Sequence, residues 1–266
     1  METPKKPEGP PGRFREVGDF LLGRAGAYLE RRLFPRPKYE TVSWEEALGD
    51  LAARFGAVKG ILDEPALLEV ETKTRGLLAE IRADDPFLQR WAADSVLARC
   101  CYLLCRLTKP ETVVETGVAY GVSSAFILAA LEENGRGSLH SIDLPPVRRG
   151  SRHSWGIAIP DVLEPRWTLH RGSSKQVLPD LLRSRGGVDF FLHDSLHTRR
   201  NMLREFDLTW PVLRSGGILL ADDVERNDAF GELKRRDPSL WRVVKDREAN
   251  PLHGNKAPVT FGIVVK

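Results

Sequence analysis

The chain has 266 residues, of which 41% are hydrophobic and 29% are charged, so it can bury one sizeable core. Its formal net charge of +3 is too small to indicate a nucleic-acid partner by itself. No apolar stretch predicts a membrane span, and the Pro- and Gly-rich start lacks the apolar centre of a signal peptide. We therefore expect a cytoplasmic protein.

The N-terminal part of the chain has the pattern of a helical extension. Residues 1–12 are predicted to form a disordered tail. Residues 13–109 follow a helical period with breaks near residues 35–37, 65 and 84–86, and Asp85 with Pro86 is typical of a helix start. Between positions 13 and 38, basic and apolar residues favour a helix that packs its apolar face on the main domain. A helix that lies on a membrane surface is the alternative.

After Pro110 the pattern changes to short apolar strands that alternate with helical segments. Strands are predicted at residues 112–116, 138–143, 167–170, 188–193 and 218–221. Helices are predicted at residues 122–133, 174–185 and 198–213, with a short one at 229–236. Such alternation is typical of parallel βαβ units.

Two further strands, at residues 241–245 and 259–266, have no helix between them. They must pair antiparallel or lie apart, because a parallel pair needs a crossover. The sequence therefore predicts an α/β fold with a doubly wound, seven-stranded, mostly parallel sheet and one antiparallel C-terminal strand. This sheet would occupy a domain of residues 110–266, preceded by the helical extension.

Polar residues follow the predicted strands. In open α/β sheets, ligands bind beyond the carboxyl ends of the strands, at the switch in strand order. One such residue would mean little, but five successive strand ends carry acids, glycine or histidine. In chain order these residues are Glu115 and Gly117, Asp143, Gly172, His193 and Asp194, and Asp222 and Asp223.

The turn at residues 117–121, Gly-Val-Ala-Tyr-Gly, has the features of a nucleotide-binding loop. Glycine lets the backbone approach a ligand closely, and the following helix start offers free amides to an anionic group. Asp143 can accept both hydrogen bonds of a ribose diol. These features suit an adenosine-containing ligand, either a dinucleotide or S-adenosylmethionine. The loop lacks G-x-G-x-x-G spacing, and Glu115 with the reversed last strand favours S-adenosylmethionine.

Three segments carry a family resemblance. Residues 113–124 resemble the first cofactor motif of class I S-adenosylmethionine-dependent methyltransferases. Residues 193–198 and 210–223 resemble later motifs of a bacterial subfamily that includes small-molecule O-methyltransferases and relatives of the cephalosporin-hydroxylase type. The resemblance covers about residues 110–266 and implies the fold and the cofactor, but not the acceptor.

The resemblance also implies individual roles at the cofactor. Glu115, Gly117 and Tyr120 would line its methionine end, and Asp143 would bind the ribose hydroxyls. Ser123 and Ser124 would lie at the helix start beside it, and Ser173 or Ser174 would lie near the adenine. For the serines, helix capping is the alternative. His193 would point into the cofactor site or pack beneath it. The implied cofactor-binding residues are Glu115, Gly117, Tyr120, Ser123, Ser124, Asp143, Ser173, Ser174 and His193.

Asp194, Asp222 and Asp223 are candidate metal ligands. Several members of the wider superfamily bind a divalent cation with acids at these strand ends. Mg²⁺ would suit such a site, because it keeps waters that substrate oxygens can replace. As alternatives, Asp194 would cap the next helix, and Asp222 and Asp223, being adjacent on a strand, would face opposite ways.

His197 is the candidate general base for a hydroxyl nucleophile, with Asp194 beside it. A metal neighbour or a solvent-facing residue at the helix start is the alternative. The predicted reaction is methyl transfer to a hydroxyl of a small-molecule substrate, and nitrogen is the alternative acceptor. Whether the protein forms a homo-oligomer stays open. An NAD-dependent oxidoreductase and a non-catalytic, cofactor-binding scaffold are the other functions that stay open.

Two long loops, at residues 144–160 and 246–258, are predicted to enclose the substrate. Trp155 in the first loop would pack on a flat substrate or on the cofactor, or would anchor the loop. His253 in the second loop is a weaker candidate for a site residue.

Overall fold

A seven-stranded sheet organises the C-terminal part of the chain. The structure is a computed structural model that describes residues 36–56, 58–81, 92–144, 155–247 and 258–266, together with residues 18, 23, 25–30, 32–33 and 252. The predicted tail at residues 1–12, the helix start at Asp85 and Pro86, and His253 lie outside the described residues. The strands are β1 (Thr112–Thr116), β2 (Ser138–Asp143), β3 (Trp167–Arg171), β4 (Val188–His193), β5 (Leu213–Asp222), β6 (Leu240–Asp246) and β7 (Val259–Val265).

Helices precede the sheet and connect its strands. They are α1 (Trp44–Phe55), α2 (Lys59–Leu62), α3 (Pro65–Glu80), α4 (Ser95–Thr108), α5 (Val122–Glu133), α6 (Ser174–Arg185), α7 (Arg199–Thr209) and α8 (Ala229–Glu232). Residues 25–30 are also helical. Short 3₁₀ turns span Asp161–Arg166, Val224–Arg226 and Leu233–Arg236.

The strand order is β3-β2-β1-β4-β5-β7-β6. β1 pairs in parallel with both β2 and β4, whereas β7 pairs antiparallel with both β5 and β6. β7 is therefore the single reversed strand, and the predicted doubly wound sheet with one antiparallel C-terminal strand is confirmed. The order switches between β1 and β4, so a ligand crevice is expected beyond their carboxyl ends.

Alternate residues of the central strands feed two hydrophobic clusters. In β4, Phe190 and Leu192 join one cluster, and Phe191 joins the other. The first cluster also takes in apolar residues of α1, α3, α4 and α5, so the helices before β1 share a core with one face of the sheet. α6 and α7 cover the other face. Burial on both faces explains why the centre of β4 is a continuous apolar run.

The region before β5 differs from its predicted form. The helix predicted for residues 198–213 ends at Thr209, and β5 begins at Leu213 instead of residue 218. Gly216 and Gly217 resemble a helix stop in the sequence, but they lie within β5. Gly216 has a φ of +74° and donates its N–H to the carbonyl of Lys266, and the register between β4 and β5 shifts at this point.

Gly262 provides a test of the packing around β7. It pairs with Ala221 and Val243, and a Cβ at this position would lie 2.1 Å from Cζ of the buried Phe230 ring. We expect Gly262→Ala to lower the free energy of unfolding by about 1–3 kcal/mol because the ring must move. Urea denaturation measures this change.

Gly76→Ala is the matched control. Gly76 lies in α3 with no atom within 4 Å of an added Cβ, so this variant should gain up to about 1 kcal/mol from helix propensity. Equal stability of the Gly262→Ala variant and the parent protein would contradict the packing described here.

Candidate active site at the carboxyl ends of the strands

The loop between β1 and α5 lies directly against the end of β4. A Cβ on Gly117 would be 2.0 Å from the carbonyl oxygen of Asp194, and Gly117 has a φ of +92°. Asp194 donates its N–H to the carbonyl of Thr116 at 2.8 Å. Only glycine fits position 117, so the loop and the residues after β4 form one surface.

Glu115 and the two serines of α5 form a buried cluster under this loop. Ser123 and Ser124 donate to the two carboxylate oxygens of Glu115 at 2.5 and 2.6 Å, and Ser141 of β2 donates at 2.8 Å. Burial raises the pKa of Glu115 to about 7, although these hydroxyls oppose the shift. The cluster joins β1, β2 and the start of α5, and so fixes the loop from below.

Asp143, at the end of β2, also holds the loop. Its Oδ2 accepts from the backbone N–H groups of Val118 and Ala119 at 3.1 and 3.0 Å and from the indole N–H of Trp155 at 3.0 Å. Its Oδ1 accepts from the N–H of Leu144 at 2.8 Å. The predicted ribose-binding acid therefore lies at the loop and is largely buried.

The other predicted cofactor residues surround this loop at different depths. Tyr120 is fully buried in the loop. Ser173 is the N-cap residue of α6, but its side chain makes no capping hydrogen bond, and its Oγ is buried without a partner among the described residues. Ser174 accepts a long hydrogen bond of 3.4 Å from Arg204. Capping by its side chain therefore does not explain Ser173.

His193 packs beneath the site and binds Glu205 of α7. Its Nδ1 donates to Glu205 at 2.6 Å, and Glu205 also accepts from Thr116, Ser195 and Asn201 at 2.7 to 3.0 Å. Burial raises the pKa of Glu205, but His193 and the hydroxyl donors outweigh it and hold that pKa at about 2. Sequence reasoning missed Glu205, because a polar residue in the middle of a helix resembles a solvent-facing one.

Asp194, His197 and Asp222 form the group that could hold a cation, since one donor atom from each lies within 4.8 Å of the others. Nε2 of His197 is 3.7 Å from Asp194 and 4.0 Å from Asp222, and Nδ1 is 3.6 Å from Asp223. Burial, followed by repulsion from Asp223, raises the pKa of Asp194 and of Asp222 well above the ordinary value. The structure therefore brings together the four residues predicted for catalysis and metal binding.

The structure distinguishes between the alternative roles of the three acids and of His197. Asp223 has a left-handed φ of +53°, so it leaves the strand alternation, and both Asp222 and Asp223 face His197. Thr198, not Asp194, caps α7 through a hydrogen bond from the N–H of Asn201. The His197 side chain is only 14% exposed, so it does not face solvent. Asp223 in addition binds Arg226 at 2.5 Å.

Residues 114–224 match a family model described as a methyltransferase domain. This part of the chain is therefore similar to methyltransferase domains. The predicted resemblance to class I methyltransferases is thereby confirmed, and the match includes the loop, Asp143, Asp194, His197 and both acids after β5. The description of the matched model is that of a methyltransferase and not of a nicotinamide oxidoreductase. No curated protein matches the sequence.

Solved structures share the fold of this protein. A putative O-methyltransferase from Klebsiella pneumoniae matches with a TM-score of 0.51 and 18% identity, over 84% of this chain and 96% of its own. An O-methyltransferase from Bacillus cereus in complex with SAH matches with a TM-score of 0.52 and 16% identity, over 84% and 98%. The O-methyltransferase TomG from Streptomyces achromogenes, involved in tomaymycin synthesis and in complex with SAM, gives 0.51 and 16%, over 84% and 96%.

None of the helices in the described part of the chain combines the length and the apolar character that a membrane crossing requires.

The buried carboxyl of Glu115 predicts a pH-dependent stability of this protein. Because its pKa rises from 4.5 to about 7 on folding, its contribution to stability is complete below pH 4.5 and is lost as the pH rises through 7. Glu115→Gln cannot ionise. Relative to this variant, the parent protein should therefore lose roughly 2–3 kcal/mol between pH 4.5 and pH 8.

Urea denaturation of both proteins at several pH values measures the difference, in which the titration of all other groups cancels. A stability difference that stays constant over this range would contradict the described burial of Glu115.

Proposed function

We propose that the protein transfers a methyl group from S-adenosylmethionine to a hydroxyl oxygen of a small-molecule acceptor. One observation carries the proposal: the acid and histidine cluster lies against the glycine loop of a methyltransferase domain, in contact through Gly117 and Asp194. The SAH- and SAM-bound O-methyltransferases with the same fold support it. A cofactor at the loop would then present its methyl group to an acceptor at the cluster.

Loop residues 117–121 and Asp143 would hold the cofactor. S-adenosylmethionine supplies an activated methyl group on a sulfonium. The buried cluster of Glu115, Ser123 and Ser124 keeps the loop in place, so these three residues would act from beneath the methionine end. Asp143 would accept ribose hydroxyls beside the loop, and the unpartnered hydroxyl of Ser173 would face the adenine side.

His197 would accept the proton of the acceptor hydroxyl. A general base must be neutral before it acts, and burial, then the charge of His193, lowers the pKa of His197 well below its ordinary value. The imidazole is therefore neutral at pH 7. Asp194 lies 3.7 Å from its Nε2 and would stabilise the ring once it is protonated.

The group formed by Asp194, His197 and Asp222 also fits a divalent cation. Nε2 of His197 is buried without a hydrogen-bond partner among the described residues, between two acids that lie too far away to accept from it. Asp194 and Asp222 would bind the ion, and Asp223 would join them if it leaves Arg226. Mg²⁺ favours such oxygen ligands, and a bound cation would lower the pKa of the acceptor hydroxyl.

Several expectations from the sequence stay predictions: the domain limits of residues 13–109 and 110–266, the cytoplasmic location and the homo-oligomer. A scaffold that binds the cofactor without catalysis is the second candidate function. It would bind the cofactor equally well, but it would not need the acids and the base of the cluster.

Cofactor binding is the first test. Calorimetric titration of S-adenosylhomocysteine into the purified protein should give a dissociation constant in the micromolar range. Asp143→Ala should weaken binding about tenfold or more, because a charged hydrogen-bond acceptor for the ribose is lost.

Asp189→Ala is the matched control, since Asp189 likewise accepts two backbone N–H groups, from Glu111 and Thr112, but at the opposite edge of the sheet. This variant should bind like the parent protein. Failure of the folded parent protein to bind S-adenosylhomocysteine, together with binding of NAD, would overturn the proposed function.

Metal binding is tested separately with Mn²⁺ as the probe, followed by electron paramagnetic resonance. The parent protein should bind Mn²⁺, and Asp222→Asn should weaken binding about tenfold or more, because one charged ligand is removed. Asp180→Asn, which changes an exposed acid on α6, should have no effect. Equal Mn²⁺ binding by all three proteins, or by none, would refute the proposed metal site and leave the cofactor proposal standing.

A further inference from the structure

The carboxylate of Asp143 already accepts several hydrogen bonds within the protein, most of them at Oδ2. A carboxylate offers about four lone-pair positions for hydrogen bonds. The described residues provide four donors to it: the N–H groups of Val118, Ala119 and Leu144 and the indole N–H of Trp155. Three of these donors converge on Oδ2, whereas Oδ1 accepts only from Leu144. A ribose diol that bonds to both oxygens therefore finds a free position on Oδ1 but must displace a donor from Oδ2.

The four donors differ in how easily they can leave. Val118 and Ala119 belong to the loop that Glu115 and Gly117 fix, and Leu144 directly follows Asp143 in the chain. Their N–H groups are part of the backbone and cannot turn away without moving it. The indole of Trp155 is a side chain, so its hydrogen bond can break while the backbone stays in place.

The segment that carries Trp155 is attached to the loop by independent contacts. Gly156 donates its N–H to the carbonyl of Ala119 at 3.0 Å, and Ala158 donates to the carbonyl of Tyr120 at 2.9 Å. Gly121 and Gly156 are also in close contact, because a Cβ added to Gly121 would lie 2.9 Å from the Cα of Gly156. These backbone contacts would hold the segment in place while the indole N–H changes partner.

We infer that the indole N–H of Trp155 occupies the position on Asp143 that a ribose hydroxyl of the cofactor takes, so that cofactor binding replaces the hydrogen bond between Trp155 and Asp143. This inference rests on the proposed function, because it needs an adenosine-containing cofactor at the loop. Trp155 is then a residue that sets cofactor affinity. In the protein without cofactor, the indole N–H of Trp155 binds Oδ2 of Asp143, and a ribose hydroxyl must compete with the indole for this oxygen.

Trp155→Phe tests the inference, because it removes the indole N–H and retains an aromatic ring. Calorimetric titration with S-adenosylhomocysteine should show a dissociation constant about three- to tenfold lower than that of the parent protein, since the competing donor is gone. Trp241→Phe is the matched control: its indole N–H donates to the carbonyl of Phe230, in β6. This control should bind like the parent protein.

A second measurement follows the hydrogen bond directly in the parent protein. The indole N–H signal of Trp155 in ¹⁵N-labelled protein should move upfield on saturation with S-adenosylhomocysteine, as it loses a charged acceptor, and that of Trp241 should stay. The Trp155 signal is assigned by its absence from the Trp155→Phe spectrum, or from that of Trp155→Tyr if the first variant does not fold.

Affinity that is unchanged or weaker in Trp155→Phe, with an unmoved Trp155 signal, would overturn the role of Trp155 while the proposed function stands. Lack of binding by both folded proteins would overturn the proposed function, and the role of Trp155 with it.

Discussion

The contact between Gly117 and the carbonyl of Asp194 is the constraint on which the site depends. Two backbone segments from different strands touch there, and no side chain separates them. The loop expected to hold a cofactor and the strand end that carries the acids therefore have one fixed spacing. A transfer reaction needs its two reactants in a defined relative position, and this contact sets that position through the backbone, which side-chain motion does not change.

Buried carboxylates keep the two segments in that arrangement. Glu115 gathers three serine hydroxyls beneath the loop, and Glu205 gathers donors from β1, from α7 and from both sides of Asp194. A buried charge is costly when its hydrogen bonds are unmet, so each network is stable only when all its members are in place. Loss of a single donor would therefore leave part of a buried carboxylate unsatisfied and destabilise the strand end that it holds.

Much of the fold could be predicted from the sequence, because apolar strands end at glycine and polar residues. β1, β2 and β4 have the predicted limits, and the acids after β4 and β5 lie at one edge as the parallel sheet requires. The start of β5 was missed because Gly216 and Gly217 resemble a helix stop. The orientation of the Asp223 side chain depends on a left-handed φ, which cannot be predicted from the sequence because non-glycine residues rarely adopt it. Glu205 was missed because an acid in the middle of a helix resembles a solvent-facing residue, and its partner Thr116 lies far away in the sequence.

Helix α5 has a consequence for the thermodynamics of ligand binding. Its residues from Val122 to Leu131 are all buried, so the helix that follows the glycine loop has almost no solvent-facing side. An element enclosed in this way has little freedom to fray, and the loop attached to it inherits that rigidity. The conformational entropy that a flexible loop would lose on capturing a ligand is thus already lost when the chain folds. Ligand affinity can then arise from enthalpy with little ordering cost, which is the advantage of preorganisation.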